Sequence, residues 1–375
     1  MRICVPAGCR NVRQENVFAV VSRRRGAATK EGRMYFEGKT VLVTGGTGSM
    51  GGRMVRRLLT GERGAPKKII VFSRDESKQH DMRVSLSKQK TVTDEHIYSN
   101  FQQRLEFRIG DVRRYPDVCS AVRDADVVIN AAALKQVPTC EYFPEQAVRT
   151  NCLGVTNIVR AINENRFPVE TVVAISTDKA CKPINVMGMT KAIQERIIIA
   201  ANILNPSTRF IGVRYGNVMA SRGSVIPLFR EQISRGGPVT VTLPEMTRFL
   251  MSIDEAVDTV FAAVDGAKPG EIYIPIAPSG TIMDLAKAMV GERDIPIRVV
   301  GIRPGEKIHE VLISVEEAYN SARRGQYYAI RPMLPELRQG EEPSPPAFHG
   351  EFSSEKAVVP LAEVAALLRK HGLID

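Results

Sequence analysis

The sequence predicts an α/β protein built on a doubly wound parallel sheet, with a smaller, discontinuous second region. Three observations carry that expectation. Short, near-continuous apolar runs recur through the first part of the chain, each separated from the next by enough residues for a helix. That is the pattern of strands buried on both faces. The first run enters a glycine-rich turn at the head of a helical stretch. Beyond Arg214 glycine and proline become frequent (Gly216, Gly223, Pro227, Gly236, Gly237, Pro238), and the regular alternation stops.

In chain order, residues 1–33 read as a basic, disordered extension, or as an upstream start with Met34 the true beginning. The apolar run Val17–Val21 is shorter than a secretory core and is followed by Arg23–Arg25, so secretion is not expected. Strands are expected at Thr40–Val43, Ile69–Phe72, Glu106–Ile109, Val127–Asn130, Val172–Ser176 and Phe210–Val213. A helix follows the first strand through Leu59, and Lys191 is expected to open another through Ala201. The sheet domain then spans 34–213 and is rejoined by about 250–276, where Asp254–Val264 is amphipathic. The second region, expected to hold substrate, comprises 214–249 and 277–337, with an amphipathic stretch at Ile282–Val290. In 338–375, Gly340, Pro343, Pro345, Pro346 and Gly350 mark a linker or wrapping arm. Leu361, Val364, Leu367 and Leu368 recur at helical spacing and predict a docked closing helix.

Composition narrows the function classes. Of 375 residues, 43% are apolar and 25% charged, a globular balance. No uninterrupted apolar stretch reaches the roughly 18 residues of a membrane span, so no membrane insertion is expected. The net charge is +11, but residues 1–33 hold eight Lys or Arg against two acids, and the remainder is only mildly basic. Such a body suits anionic small molecules better than a polynucleotide, and no nucleic-acid partner is expected. The six cysteines form no CxxC pair and no histidine stands at ligand spacing. Reduced thiols, no metal and a cytoplasmic location are the expectation.

Gly45, Gly48 and Gly51 make a GxxGxxG turn between strand and helix, with Thr47, Ser49 and Met50 interspersed. Glycines there permit a tight turn and let the backbone approach a pyrophosphate, whose charge meets the N–H groups of the helix start. This predicts a dinucleotide site on a Rossmann sheet. The second strand ends Ser73-Arg74, with no carboxylate at its tip for ribose hydroxyls, although Asp75 follows. A cation and a hydroxyl suit a 2′-phosphate, so NADP is expected rather than NAD. Asp111 and Val112 fall where such folds hold the adenine, and Ala131 and Ala132 supply small residues beneath ribose and nicotinamide.

The fifth strand runs into Ser176-Thr177-Asp178-Lys179, with Met187 and Lys191 beyond. The spacing is that of an extended short-chain dehydrogenase/reductase, in which a Ser or Thr, a Tyr and a Lys meet above the nicotinamide. There the Lys cation lowers the Tyr pKa so that the phenol exchanges a proton with a sugar hydroxyl. This chain has Met187 in place of the Tyr, and a thioether moves no proton. Asp178 and Lys179, an acid beside a base at a strand tip, suit elimination of water next to a ketone.

Linked motifs carry a closer resemblance: Val43-Thr44-Gly45-Gly46-Thr47-Gly48-Ser49, Ala131-Ala132-Ala133-Leu134-Lys135-Gln136-Val137-Pro138, Ser176-Thr177-Asp178-Lys179-Ala180, Pro183-Ile184-Asn185, Arg214-Tyr215-Gly216-Asn217-Val218, Thr247-Arg248-Phe249 and Arg303-Pro304-Gly305-Glu306-Lys307. Over about Met34 to Leu337 the chain resembles the inverting UDP-N-acetylglucosamine 4,6-dehydratases of the polysaccharide-biosynthesis branch, capsule and O-antigen subgroup. The resemblance implies tightly held NADP, UDP-N-acetylglucosamine as substrate, and a soluble homo-oligomer, often a hexamer. It implies a catalytic set of Thr177, Asp178, Lys179, Met187 and Lys191, with Asp178 the acid for the C6 hydroxyl and Lys179 the base at C5. Lys191 would bind the nicotinamide ribose. Lys135 would lie between cofactor and substrate. Asn217, Ser224 and Val225 would hold the nucleotide sugar, Arg248 and Arg303 its diphosphate, and Glu306 the uridine ribose. Two alternatives stay open: a UDP-sugar 4-epimerase, which needs no elimination pair, and an inactive NADP-binding protein, which Met187 permits.

Overall fold

A computed structural model describes residues 34–87, 104–221, 223–338, 340 and 345–374. The extension expected over 1–33 lies outside these residues, as does Arg222. Each expected strand forms, usually a residue longer at one or both ends. They are β1 (Thr40–Thr44), β2 (Lys68–Ser73), β3 (Leu105–Ile109), β4 (Val127–Asn130), β5 (Thr171–Thr177) and β6 (Arg209–Tyr215). Between them run α1 (Ser49–Thr60), α2 (Glu76–Ser87), α3 (Tyr115–Val122), α4 (Gly154–Asn165) and α5 (Val186–Leu204). All six strands are parallel, in the order β3-β2-β1-β4-β5-β6.

The unbroken apolar runs follow from burial on both faces. Val41, Val43, Ile69, Val71, Val127, Ile129, Val173 and Ile175 pack with Met54, Val55 and Leu58 of α1 on one side. Their alternates Leu42, Ile70, Phe72, Val128, Val172 and Ala174 pack with Val118, Val155, Ile158 and Ile162 of α3 and α4 on the other. A strand with a helix layer on each face leaves few positions facing water, which is why its run is mostly apolar.

Beyond β6 come α6 (Val225–Ser234), β7 (Val239–Val241), β8 (Thr247–Phe249), α7 (Ile253–Gly266), β9 (Ile272–Pro275), β10 (Ser279–Thr281) and α8 (Ile282–Val290). There follow β11 (Ile297–Val299), β12 (Val311–Ile313), β13 (Ser321–Arg324), β14 (Tyr327–Ile330), β15 (Phe352–Ser353) and α9 (Leu361–Lys370). The chain returns to the sheet: α7 buries Val257, Val260 and Phe261 against it, and β9 pairs parallel to β6. Ser321–Ile330, expected in the second region, instead extends the sheet, which reaches nine strands, β3-β2-β1-β4-β5-β6-β9-β14-β13. The reason is an open edge. With only β6 beside it β9 would leave a row of backbone groups unpaired, and the β13–β14 hairpin covers them, turning at Gly325 with φ 63°.

The pairs β7–β11, β8–β10 and β12–β15 lie apart from the main sheet. Beside them α6, α8 and α9 share a core of Ile226, Phe229, Leu285, Met289, Val364 and Leu368. The closing helix therefore docks through Val364 and Leu368, while Leu361 stays exposed. Helix α5 begins five residues before the expected start at Lys191. The Asn185 side chain accepts a hydrogen bond from the Gly188 N–H at 2.8 Å and caps the helix there, so Met187 and Lys191 stand one turn apart on the same helix. No helix among the described residues is long and apolar enough to cross a membrane.

Candidate active site

The connections leave β1 and β4 in opposite directions, which opens a crevice at their carboxyl ends. Gly45 lies there at φ 64°, and a Cβ on it would sit 2.8 Å from the Ala132 nitrogen and 2.9 Å from the Ala131 oxygen. A Cβ on Gly51 would fall 2.4 Å from the Gly45 oxygen. The turn, the tip of β4 and the start of α1 thus meet at backbone distance. Helix α1 starts at Gly48 with no side-chain cap and no acid in its first turn, which leaves its N-terminal partial charge for an anion.

At the end of β2, the Gln79 amide donates to the Ser73 carbonyl and hydroxyl and to the Arg108 carbonyl, at 3.0–3.1 Å, and fixes the strand tip. Arg74 is exposed, with Nη1 3.8 Å from Asp111 Oδ2. Asp75 turns to Lys78, accepting from its backbone N–H at 3.0 Å and pairing with its ammonium. Asp111 is gripped by the Arg113 guanidinium at 2.6 and 2.9 Å. Burial pushes its carboxyl up, but Arg113 and Arg74 more than offset this and hold it below the usual range. The glycine turn and open helix start fit the pyrophosphate of a dinucleotide.

At the end of β5 the chain turns through Asp178–Ala180, and Thr177 Oγ1 donates to Asp178 Oδ1 at 2.8 Å. Lys179 Nζ lies 3.1 Å from Asp178 Oδ1 and 3.0 Å from Glu310 Oε1. Both carboxylates are inaccessible to solvent, and Asp178 Oδ2 and Glu310 Oε2 have no hydrogen-bond partner among the described residues. Arg248 Nε stands 3.9 Å from Glu310, and Lys307 Nζ donates to the Cys181 carbonyl at 2.6 Å. Burial pushes Asp178 up, and Glu310 adds to that against the pull of Lys179. Burial also opposes the Lys179 ammonium, yet Asp178 and Glu310 hold it above the usual lysine range. For Glu310 burial is outweighed by Lys179 and Arg248, and its carboxyl is held low. Glu310 escaped the sequence reading, although it stands three residues past Lys307 in a segment already singled out. A lone acid carries no signal until the fold sets it beside Lys179.

Lys191 is buried, donating to the Ile175 carbonyl at 2.8 Å and the Gln194 side chain at 2.9 Å, and burial pushes it down to about 8. Met187 is buried with Cys140 and Ala147, flanked by Leu134, Val137 and Val186. The Arg303–Glu306 turn reaches this helix start through Asn185 Nδ2, which donates to the Gly305 carbonyl at 2.8 Å. A Cβ on Gly223 would meet the Gln136 amide at 2.5 Å, so the loop before α6 closes on the segment that carries Lys135. Asn217 Oδ1 and Ser224 Oγ are buried with no hydrogen-bond partner among the described residues, and Val225 opens α6 without a side-chain cap. Arg303 and Lys135 are exposed, and Glu306 accepts from the Arg303 N–H at 3.4 Å. Arg248 is held by backbone carbonyls. Its guanidinium donates to the carbonyls of Thr247 at 2.7 Å and Lys307 at 3.0 Å, because β8 runs directly beside the Lys307–Glu310 segment.

Residues 41–332 match the family described as polysaccharide biosynthesis protein. The chain belongs to this family. That places it among the extended short-chain dehydrogenases/reductases to which the motifs pointed. Polysaccharide biosynthesis proteins and other chains similar to it include the UDP-glucose 4-epimerase of Rickettsia bellii, 46% identical over 300 residues that cover 79% of this chain and 83% of that one. The X-ray structure of Pen from Bacillus thuringiensis is 33% identical, with TM-score 0.80, over 90% of this chain and 99% of that one. DesIV, a dTDP-glucose 4,6-dehydratase from Streptomyces venezuelae, is 18% identical with TM-score 0.61 over 90% and 99% of the two chains, a likeness of fold.

Proposed function

We propose that the protein is an NADP-dependent, inverting 4,6-dehydratase of UDP-N-acetylglucosamine. The observation that carries this reading is the buried Asp178–Lys179 pair at the carboxyl end of β5, with Asp178 Oδ2 unpartnered. Bound NADP⁺ would accept a hydride from C4 of the sugar and return it to C6, while the C4 hydroxyl proton would pass to a water held near Thr177 and Lys191 and be matched by the proton later placed on C5. The remaining work falls to side chains of the chain. At 3.1 Å, transfer of a proton from Lys179 Nζ to Asp178 turns the ion pair into an amine and a carboxylic acid, and exclusion of water by the sugar favours that neutral form. Lys179 then takes the C5 proton, the C5–C6 double bond forms beside the C4 ketone, and the C6–O bond breaks. Asp178 gives its proton to the departing hydroxyl, which leaves as water. A proton placed on the opposite face of C5 completes the inversion. Asn217 and Ser224, with buried polar atoms awaiting partners, are proposed to hold the nucleotide sugar, together with Val225, Arg303, Glu306 and Lys135.

A second reading, a UDP-sugar 4-epimerase, is favoured by the names of the Rickettsia relatives. Epimerisation needs no acid–base pair for loss of water, whereas both readings need an acceptor other than Met187 for the C4 hydroxyl proton. Incubation with UDP-N-acetylglucosamine followed by proton NMR separates the two. A C6 methyl doublet is the expected result, and a C4 epimer with C6 still hydroxylated would replace this reading with the second. Asp178→Asn and Lys179→Ala should each lower turnover by roughly two orders of magnitude, with cofactor content retained.

A further inference from the structure

The acid–base pair has a third charged neighbour that the dehydration scheme leaves without a task. Glu310 presents one oxygen to Lys179 at 3.0 Å and keeps the other buried without a partner among the described residues. Its backbone is locked from behind. The Glu310 N–H donates to Ser354 Oγ at 2.9 Å, and the Ser354 N–H returns a bond to the Glu310 carbonyl at 2.8 Å. Ser354 Oγ lies 2.7 Å from Thr247 Oγ1, which in turn meets His309 Nδ1 at 2.9 Å. These bonds fix the backbone that carries the carboxylate beside Lys179.

We infer that Glu310 is a positioning residue of the acid–base centre: a fixed negative charge that holds the Lys179 nitrogen and sets the pH range over which the Asp178–Lys179 pair carries its working proton. This rests on the dehydratase reading only in the role given to that pair. The groups facing Glu310 are few. Lys179 and Asp178 come from the turn after β5, Arg248 from β8 and Lys307 from its own segment, while Ser354 on the arm is neutral and Glu355 reaches only His309, at 3.9 Å. Arg248 and Lys307 favour the ionised form of Glu310.

The direction of the effect follows from charge alone. The pair works with one proton between its two members. Gaining a second proton defines the acid limb of the activity profile, and losing the last one defines the alkaline limb. A neighbouring carboxylate favours retention of every proton, so it places both limbs higher than they would otherwise stand. An ion pair serving the fold alone would change stability and leave both limbs where they are.

The test is the pH profile of kcat for the cofactor-loaded enzyme with UDP-N-acetylglucosamine, for wild type, Glu310→Gln and Glu310→Asp. Glu310→Gln should move both limbs to lower pH by roughly one unit or more, the scale for a charge within a few ångströms. Glu310→Asp, which keeps the charge but withdraws it by one methylene, should move them the same way by less. It also decides the matter if Glu310→Gln does not fold. The infrared carbonyl band of protonated Asp178, assigned by its loss in Asp178→Asn, should titrate at lower pH in Glu310→Gln without any substrate present. Unmoved limbs and an unmoved Asp178 titration in folded variants would overturn the role of Glu310. A wild type that yields no 6-deoxy-4-keto sugar would instead overturn the dehydratase reading, and the infrared titration would still judge Glu310.

Discussion

Arg74 and Met187 are the two residues on which the chemistry turns most directly. Arg74 stands exposed at the end of β2, with only Asp111 within ion-pair range among the described residues, at 3.8 Å. If it meets a 2′-phosphate, Arg74→Asp replaces an attraction by a repulsion, and NADP affinity should fall at least tenfold, about 1.4 kcal/mol. Affinity titration, with identification of the nucleotide released from the purified protein, checks this. Met187 lies in a small apolar cluster one helical turn from Lys191. Met187→Leu keeps the volume and should retain most turnover. Met187→Tyr puts a bulkier, rigid ring into that close-packed apolar cluster and should not raise turnover above wild type. A large gain on assay of that variant would mean that the natural chain is inactive for want of the Tyr. Residue chemistry was legible in the sequence where type and spacing carry it, as at Asp178-Lys179. It was not legible at Glu310, whose meaning comes from a neighbour far away in the chain.

Between elements, α5 approaches the Asp178–Ala180 turn at backbone distance. A Cβ on Gly188 would lie 2.2 Å from the Lys179 carbonyl oxygen, which is backbone and cannot step aside cheaply. Gly188→Ala should therefore displace the turn that aims Asp178 and Lys179 and lower kcat by about tenfold or more, while KM changes less. Steady-state kinetics beside a thermal melt separates this from simple unfolding. The sheet was readable because burial on both faces writes a strand as an apolar run. The start of α5 was misread because its signal is one capping asparagine, Asn185, preceded by proline, and the apolar pattern alone does not mark it. The β13–β14 hairpin escaped for another reason. Arg323, Arg324 and Tyr327 belong to an edge, where one side is solvated and the apolar run is lost.

In the molecule as a whole, sheet and C-terminal part are joined by a buried bracket. Arg214 on β6 pairs with Glu195 of α5 at 2.6 Å and with Glu317 at 2.8 Å, and donates to the Leu312 carbonyl at 2.8 Å. Arg214→Leu strands the buried Glu195 and the half-buried Glu317 carboxylates and should cost roughly 3–5 kcal/mol, read as a lowered midpoint of denaturant unfolding. Burial would raise Glu317, but Arg214 outweighs it and holds its carboxyl down at about 2, against 4.5 for the free group. The folded state thus binds this proton more weakly than the unfolded chain. Its stabilising contribution is full above pH 4.5 and is lost as pH falls towards 2. Glu317→Gln should flatten the fall in melting temperature across that range.

Ser354 has a consequence in time. It braces Glu310 from a strand pair, β12–β15, that forms only after the arm has been made, beyond the family-matched residues 41–332. A nascent chain acquires its sheet and glycine turn long before it acquires a braced Glu310. If the proposed role of Glu310 holds, a chain stopped before the arm could fold around its sheet and still lack the brace that its acid–base centre needs.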